Sequence, residues 1–522
     1  MVIMDNEEMP TGKVYLIGAG AGEQGLITER GAAILRQVDV VCYDSLVDPV
    51  LIVTLPSRVK RIFVGKRAGR HSMPQEEIEK LLVDLAHQGK IVARLKGGDP
   101  FIFGRGGEEA LKLAAQGIAY EVVPGVTAAI ASAVYAGMPL TQRGFANSAV
   151  LFTARFASSQ ILDDEQQIKQ QIEQLGALKE STLVGYMGVC CLPEVVAALL
   201  RGGMSPSTPA AMIENGATVR QRIVRTTLEN LPQEAERENV QAPALIVVGE
   251  VVELGKKLDW YRPGIIAGKR ILVTRPVERA KLMYDLLRFH GASVVPSPAI
   301  EIRDYSTDPA WGIVLNRLKE GGWLVFTSVS GVHAFFSQIL RLKQDIRCLK
   351  AFRIAAIGQE TAAALNNYHL RPDCLPKSSL TSALAKRLKK EVSPGEFVVR
   401  IRGNLGDYKI EEALREVGAE TLSLVVYHTL TAELDDSIRA WVEEAPLDLI
   451  TFTSGSTVHS FFKQWGETEA LLLIKDAAIA SIGPITSQTL RSYGLEIAIE
   501  AKQHDVPGLV KAIVEWCEDK RF

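Results

Sequence analysis

The sequence predicts an α/β protein built as two bilobed α/β halves in tandem, and three observations carry that prediction. Strand-like apolar runs alternate with helix-like segments along the chain, the pattern of sheets covered by helices. The chain opens with a strand that runs through a glycine-rich loop into a helix. The carboxy-terminal half contains an internal repeat: Phe326-Thr-Ser-Val-Ser-Gly-Val-His-Ala-Phe-Phe336 returns as Phe452-Thr-Ser-Gly-Ser-Thr-Val-His-Ser-Phe-Phe462, an offset of 126. Ile357-Gly358 returns as Ile482-Gly483 and Gly291-Ala292 as Gly418-Ala419, at nearly the same offset. At 522 residues, 47% of them hydrophobic, the chain holds material for about three to four ordinary domains.

The first strand spans residues 13–17 and leads through residues 18–25 into a helix on which Leu26, Ile27, Ala33 and Ile34 fall at helical spacing. Strands follow at 39–43, 61–64, 91–95 and 120–123, alternating with helices at 74–87 and 108–116, the order of a parallel sheet. After the turn Gly137-Met-Pro139 a second lobe begins, with strands at 149–153, 181–186, 210–213 and 244–248. The lobes span about 13–137 and 138–252. Residues 253–268, charged and interrupted by Pro263-Gly264, have no clear periodicity and read as a tether. A new strand at 270–274 opens the second half, 269–522.

Composition excludes several classes. Lys plus Arg number 59 against 61 Asp plus Glu, so no global field gathers nucleic acid or anionic membrane. No apolar run approaches the roughly 20 residues that cross a bilayer. The first ten residues are acidic and lack the basic region and apolar core of a secretory signal. Six cysteines, Cys42, Cys190, Cys191, Cys348, Cys374 and Cys517, form neither a disulfide framework nor paired zinc clips. A reduced, metal-free, cytoplasmic protein is expected, without nucleic-acid or membrane partners.

The opening loop, Gly20-x-Gly22-x-x-Gly25, with Asp44 about 20 residues on, matches the dinucleotide-binding pattern. Its glycines let main chain approach a pyrophosphate at a helix amino terminus, while the acid accepts from a ribose hydroxyl. NAD, another nucleoside-bearing cofactor and a structural tight turn are all compatible with this loop alone. A second loop shifts the balance. Between Arg94 and Glu109 a strand enters a segment with five glycines in the eleven residues from Gly97 to Gly107. That density costs chain entropy unless something approaches the backbone closely, and a dehydrogenase has no need of it.

Gly18-Ala-Gly-Ala-Gly-Glu-Gln-Gly-Leu-Ile-Thr28, Val64-Gly-Lys-Arg-Ala-Gly69, the 95–109 loop, Val123-Pro-Gly-Val-Thr-Ala-Ala129, Gly137-Met-Pro-Leu-Thr141, Tyr186-Met-Gly188, Glu214-Asn-Gly216 and Pro243-Ala-Leu-Ile-Val-Val-Gly249 resemble, in order, the signature of uroporphyrinogen-III C-methyltransferases. The resemblance covers residues 13–252. It implies the two-lobed tetrapyrrole methylase fold, S-adenosylmethionine released as S-adenosylhomocysteine, and methylation of uroporphyrinogen III at C2 and C7 to precorrin-2. The family's cofactor contacts fall on Ala21, Gly97, Gly98, Asp99, Ile102, Thr127, Ala128, Met187 and Gly216. Its proton acceptor falls on Asp44 and its proton donor on Lys66, which can equally be a cation that binds a substrate carboxylate. Lys66, Arg67, Arg70, Arg105 and Arg143 would supply local positive charge for a carboxylate-rich substrate. A homodimer through this half is expected. Ala21 and Glu23 stand where the family carries Pro and Asp, and Gln142 where it carries His, so cofactor affinity is expected to differ while activity is retained.

In the second half, Ile271-Leu-Val-Thr-Arg-Pro276, Phe326-Thr-Ser-Val-Ser-Gly-Val332, Tyr427-His-Thr429, Phe452-Thr-Ser-Gly-Ser456 and Ile482-Gly-Pro-Ile-Thr486 resemble uroporphyrinogen-III synthases. The implied fold is a bilobed α/β synthase fold with an internal repeat, its lobes spanning about 269–302 plus 430–522 and 303–429. The implied reaction converts hydroxymethylbilane to uroporphyrinogen III through loss of water, inversion of ring D and closure. Ser328, Ser454 and Thr486 are the hydroxyls that would hold substrate, and Tyr427 would assist departure of its hydroxyl. Hydroxyls that begin helices also serve as ordinary caps, and Tyr427 can be a packed aromatic at a lobe boundary. The whole reads as a bifunctional enzyme of tetrapyrrole biosynthesis. The alternative is a methyltransferase fused to a non-catalytic tetrapyrrole-binding module.

Overall fold

The computed structural model describes residues 12–65, 73–154, 162–378 and 380–519, with side chains from residue 166 in the helix Leu162–Leu175. Lys66, Arg67 and Arg70 lie outside the described residues. Twenty strands form four five-stranded sheets among the described residues. β1 (Lys13–Gly18), β2 (Val40–Tyr43), β3 (Lys60–Phe63), β4 (Ile91–Lys96) and β5 (Ala119–Val123) make the first, ordered β3-β2-β4-β1-β5 and parallel throughout. Helices cover both faces, and all four residues of β2, Val-Val-Cys-Tyr, are buried accordingly. Strand order reverses between β1 and β4, so the loops that leave these two strands open side by side.

The first helix begins later than its apolar spacing predicts. Gln24–Leu26 forms a short 3-10 turn, and Thr28 caps the helix Glu29–Leu35, its Oγ1 accepting from the Gly31 amide at 3.2 Å. Leu26 and Ile27 therefore belong to the loop, because a hydroxyl that satisfies a free helix amide outweighs apolar periodicity at a helix start.

The second sheet contains β6 (Ser148–Thr153), β7 (Ser181–Tyr186), β8 (Pro209–Glu214), β9 (Arg222–Thr227) and β10 (Ala244–Val248), ordered β6-β7-β10-β8-β9. Only β6 and β7 pair in parallel; the other pairs are antiparallel. β9 escapes a hydrophobicity search because it is a half-exposed edge strand with arginines at 222 and 225.

β11 (Arg270–Val273), β12 (Ser293–Pro296), β13 (Ile300–Asp304), β14 (Gly322–Phe326), β15 (Phe352–Ala356), β16 (Phe397–Gly403), β17 (Glu420–Thr431), β18 (Leu449–Phe452), β19 (Ala478–Ser481) and β20 (Ile499–Glu500) make the other two sheets. One is ordered β12-β11-β18-β19-β20 and the other β13-β17-β16-β14-β15, with β13 antiparallel to β17. The chain thus changes sheet before Ile300 and after Thr431, so the boundaries read at 302 and 429 cut through β13 and the end of β17. The repeat extends to side-chain contacts. His333 Nδ1 meets the Tyr368 hydroxyl at 3.1 Å and His459 Nδ1 the Tyr493 hydroxyl at 2.9 Å. Phe336 stacks on Tyr368 at 4.3 Å and Phe462 on Tyr493 at 4.1 Å.

The expected tether is packed. Trp260 Nε1 donates to the Val134 carbonyl at 2.9 Å, and Tyr135 lies 5.4 Å from Trp260 and 4.8 Å from Tyr261, ring to ring. The halves also share a core in which Tyr43, Val50 and Leu51 of the first meet Val294 and Trp441 of the second. Tyr43 donates to Ser437 Oγ and its ring lies 6.2 Å from that of Trp441. No described helix is long and apolar enough to cross a membrane.

One polar cluster is buried beneath the first sheet. Arg94 and Lys96 alternate on β4 and point at Glu109, which is 0% exposed; Glu109 Oε1 accepts from Arg94 Nε at 3.2 Å, Lys96 Nζ at 3.0 Å and Gln75 Nε2 at 3.2 Å. Burial and the neighbouring Arg94 hold the Lys96 ammonium below its ordinary pKa. Removing one partner of such a group leaves uncompensated buried charge, so Glu109→Ala is expected to lower the unfolding free energy by about 3–5 kcal/mol. A urea titration checks this, and an unchanged midpoint would mean that Arg94 and Lys96 find other counter-charge.

Candidate active sites

The two glycine loops are joined main chain to main chain. The Gly20 amide donates to the Gly98 carbonyl at 3.2 Å and the Gly98 amide to the Gly20 carbonyl at 2.7 Å. Gly20 and Gly98 adopt φ of +77° and +72°, a region open chiefly to glycine. A Cβ at Gly20 would stand 2.5 Å from the Leu26 carbonyl oxygen, and one at Gly97 2.6 Å from Leu46 Cβ. Asp99 completes the turn: its Oδ1 accepts from the Phe101 amide at 2.8 Å and its Oδ2 from the Gly125 amide at 3.0 Å. One carboxylate so ties the second glycine loop to the segment that leads into the helix Ala128–Tyr135.

The second lobe closes over these loops through Tyr186. Its hydroxyl lies 2.7 Å from Thr127 Oγ1 and accepts from the Ala129 amide at 2.9 Å, while burial pushes the phenol pKa up. The Phe103 ring sits 4.8 Å from that of Tyr186. Met187 follows at φ +59° and is 44% exposed, and Gly216 lies between Asn215 and Ala217 in a turn after β8.

A cavity of about 2640 Å³ runs between the lobes. Ala21, Gly97, Gly98, Asp99, Ile102, Thr127, Ala128, Met187 and Gly216 all line it, as do Asp44 and Arg105. Its volume exceeds the roughly 300–1,000 Å³ of a site for one small ligand because it continues into the crevice between the two halves, where Arg270, Val294, Trp441 and Glu444 line it. Asp44 Oδ1 accepts from the Leu46 amide at 3.1 Å, and its Oδ2 lies 3.7 Å from Arg94 Nη1. Arg105 forms a two-pronged pair with Glu108, at 2.9 and 2.6 Å, which raises the guanidinium pKa and lowers that of the carboxyl. Both side chains are more than half exposed, so a ligand carboxylate can replace Glu108 cheaply. Arg143 is exposed and is not among the lining residues. Glu23 accepts from the Tyr135 hydroxyl, and Gln142 bridges to Ala146 at the surface.

In the second half, Ser328 and Tyr427 meet. Ser328 caps the helix Val329–Arg341, accepting from the Gly331 amide at 3.0 Å, and its Oγ lies 3.0 Å from the Tyr427 hydroxyl. Ser454 caps the helix Gly455–Trp465 within a capping box formed with Thr457. Thr486 is the third residue of the helix Pro484–Ser492 and is 4% exposed. None of these four lines the large cavity, to which the second half contributes the helix Val277–Phe289 together with Arg270, residues 292–295, Trp441 and Glu444. Arg279 of that helix donates to Ser330 at the start of Val329–Arg341, across the two lobes of the second half. Glu109, Tyr186 and Arg279 were missed because each acts through a partner distant in sequence. Alternating Arg94 and Lys96 in an otherwise apolar strand was the available sign of a buried acid.

Glycine loops at the switch point of a parallel sheet, facing a second lobe across a cavity, define a two-lobed α/β ligand-binding site. Comparison with known proteins sharpens the class. Residues 13–232 match the family of tetrapyrrole (corrin/porphyrin) methylases and residues 282–511 that of uroporphyrinogen-III synthase HemD. A porphyrin biosynthesis protein HemD of Ruminiclostridium josui is 33% identical over 508 residues, 97% of this chain and 98% of its own length. The chain belongs to this family, in which a tetrapyrrole methylase is fused to a uroporphyrinogen-III synthase. A siroheme synthase of Pseudomonas paraeruginosa is 49% identical over 253 residues, 48% of this chain, and the chain spans 53% of that protein. Among solved structures, the uroporphyrin-III C-methyltransferase of Thermus thermophilus complexed with S-adenosylhomocysteine is 36% identical, covering 47% of this chain and 94% of its own, with a TM-score of 0.39. The wild-type uroporphyrinogen III synthase of Thermus thermophilus is 17% identical, covering 49% of this chain and 100% of its own, with a TM-score of 0.30.

Tyr186→Phe removes the acceptor of the Ala129 amide and the partner of Thr127. An unpaired buried amide costs about 1–3 kcal/mol, and the thermal midpoint is expected to fall accordingly. A midpoint equal to that of the parent protein would show that the lobes are held together elsewhere.

Proposed function

We propose that the amino-terminal half transfers methyl groups from S-adenosylmethionine to C2 and C7 of uroporphyrinogen III, giving precorrin-2 and S-adenosylhomocysteine, and that the carboxy-terminal half makes that uroporphyrinogen III from hydroxymethylbilane. In this reading the methyltransferase occupies residues 13–252 and the synthase 269–522. The observation that carries it is the convergence of all nine expected cofactor contacts and Asp44 on one cavity of a chain that also matches the synthase family. The cavity suits a nucleoside-bearing sulfonium: Asp99 is held by two amides with lone pairs to spare, and Ile102 and Met187 offer apolar surface.

When bound, S-adenosylmethionine supplies an electrophilic methyl group. Gly97 presents main-chain groups to it beside Gly98, whose own amide and carbonyl are engaged with Gly20, Asp99 accepts from its hydroxyl or amino groups, and Thr127, Ala128, Ala21 and Gly216 shape the remaining walls. Attack by a pyrrole carbon builds positive charge on the macrocycle, and the Asp44 carboxylate stabilises that charge and accepts the proton lost. Lys66 is assigned proton donation, and Arg67, Arg70 and Arg105 bind substrate carboxylates; Arg143, exposed and off the cavity, does not share that role. In the second half the Tyr427 hydroxyl donates to the departing hydroxyl group of hydroxymethylbilane, with Ser328 at 3.0 Å orienting it. Ser454 is assigned to the substrate's other end, whereas Thr486, buried inside the helix Pro484–Ser492, does not share that role. A cytoplasmic location and a homodimer through the first half complete the proposal.

Supplying enzymatically generated hydroxymethylbilane, with and without S-adenosylmethionine, tests both activities in one chain. Uroporphyrinogen III without the cofactor and a dimethylated product with it are expected; the spontaneous type I isomer alone would reduce the second half to a binding module. Asp44→Ala is expected to slow methylation by about a hundredfold or more and to leave ring closure intact. Equal loss of both activities in a well-folded variant would contradict separate sites. Tyr427→Phe is expected to slow ring closure by about tenfold, the share of one hydrogen bond, and to leave methylation untouched in the isomer-resolved assay.

A further inference from the structure

Part of the cavity wall is built by the other half of the chain. Lys281, Tyr284, Asp285, Arg288 and Phe289, all of the helix Val277–Phe289, line it. Arg288 reaches furthest across. Its Nη2 donates to Asp48 Oδ1 at 2.6 Å and Oδ2 at 2.7 Å, and its Nη1 donates to Gln24 Oε1 at 2.6 Å. The pair is largely enclosed, with Arg288 23% and Asp48 16% exposed, so water screens it less than an ordinary surface pair.

Both partners belong to the loops that shape the cavity. Gln24 lies between Gly22 and Gly25 of the first glycine loop. Asp48 ends the segment that Asp44 begins: the Val47 amide bonds back to the Asp44 carbonyl, and Asp48 Oδ1 caps the helix Pro49–Val53 through the Val50 amide at 2.7 Å. Leu46, inside that segment, is the side chain against which Gly97 stands. A single guanidinium from the second half thus spans the first glycine loop and the Asp44–Asp48 loop, and its rigid fork fixes their separation. The helix Pro49–Val53 is itself buried in the core shared by the halves, which sets the loop's other end.

We infer that Arg288 is a positioning residue of the methyltransferase site, so that the synthase half completes the methyl-donor pocket of the other half by holding Gln24 and Asp48 in place. This rests on the methyltransferase reading of the cavity. Arg288 touches none of the hydroxyls assigned to ring closure, and its effect belongs to methyl transfer alone.

The test uses the full chain and its Arg288→Ala, Arg288→Lys, Asp48→Asn and Arg288→Ala/Asp48→Asn variants. Titration calorimetry with S-adenosylhomocysteine and steady-state methylation of supplied uroporphyrinogen III are the readouts, with ring closure as the internal control. Arg288→Ala is expected to weaken S-adenosylhomocysteine and raise KM for S-adenosylmethionine by about tenfold, the loss of one charge-assisted contact, with kcat changed less than about twofold. Arg288→Lys restores part of the affinity, and the double variant is no worse than either single one, because both remove the same contact. Unchanged KM in Arg288→Ala, or additive losses in the double variant, would overturn the inference. Should Arg288→Ala not fold, Arg288→Lys and Asp48→Asn decide it by the same KM shift. Failure of the parent chain to bind S-adenosylhomocysteine would overturn the methyltransferase reading itself, and the inference with it.

Discussion

The reciprocal amide–carbonyl bridge between Gly20 and Gly98 is the constraint from which the amino-terminal site follows. Two loops that leave adjacent parallel strands can approach to hydrogen-bonding distance only where no side chain intervenes. That demands glycine with positive φ on both sides. Once joined, they form a main-chain floor, and everything else is arranged around it: Asp99 anchors the second loop to Gly125, and Leu46 packs on Gly97. Tyr186 then brings the second lobe down on Thr127 and Ala129.

Charge is distributed by depth in the same region. Glu109, wholly buried, is the counter-charge that Arg94 and Lys96 share below the sheet, where an unpaired ion would be costly. Arg94 also comes within 3.7 Å of Asp44, linking this cluster to the carboxylate that faces the cavity. Arg105 and Glu108, by contrast, sit in water and can exchange partners. The near-neutral net charge of the chain conceals this layering, which is a property of positions rather than of totals.

The carboxy-terminal half is organised by duplication. Each copy places a serine cap after a central strand and a histidine–tyrosine contact beside a stacked phenylalanine. Among the described residues only the first copy adds a tyrosine hydroxyl to its serine, through β17, so the two copies are not equivalent chemically. That asymmetry sets Ser328 apart from Ser454, whose hydroxyl is engaged with Ser456 and Thr457, and from Thr486, which is buried in its helix.

Local chemistry was legible in the sequence: the strand–glycine–helix units, the order of their motifs, the internal repeat, and the limits of nine strands of the first half and of β11 to within a residue or two, while β12–β20 went unread. Glycine patterns and apolar runs act over a few residues, so they survive without knowledge of the fold. The first helix start, the antiparallel pairing of the second sheet and the edge strand β9 were not legible, because a cap, a pairing direction and an exposed edge depend on neighbours rather than on composition. Residues 253–268 read as a tether because their aromatics have no period; tertiary structure made them a packed segment by supplying Tyr135 and Val134 as partners. The meeting of Arg288 with Gln24 and Asp48 spans more than 200 residues of chain, and only folding could bring that guanidinium to those carboxylate and amide oxygens.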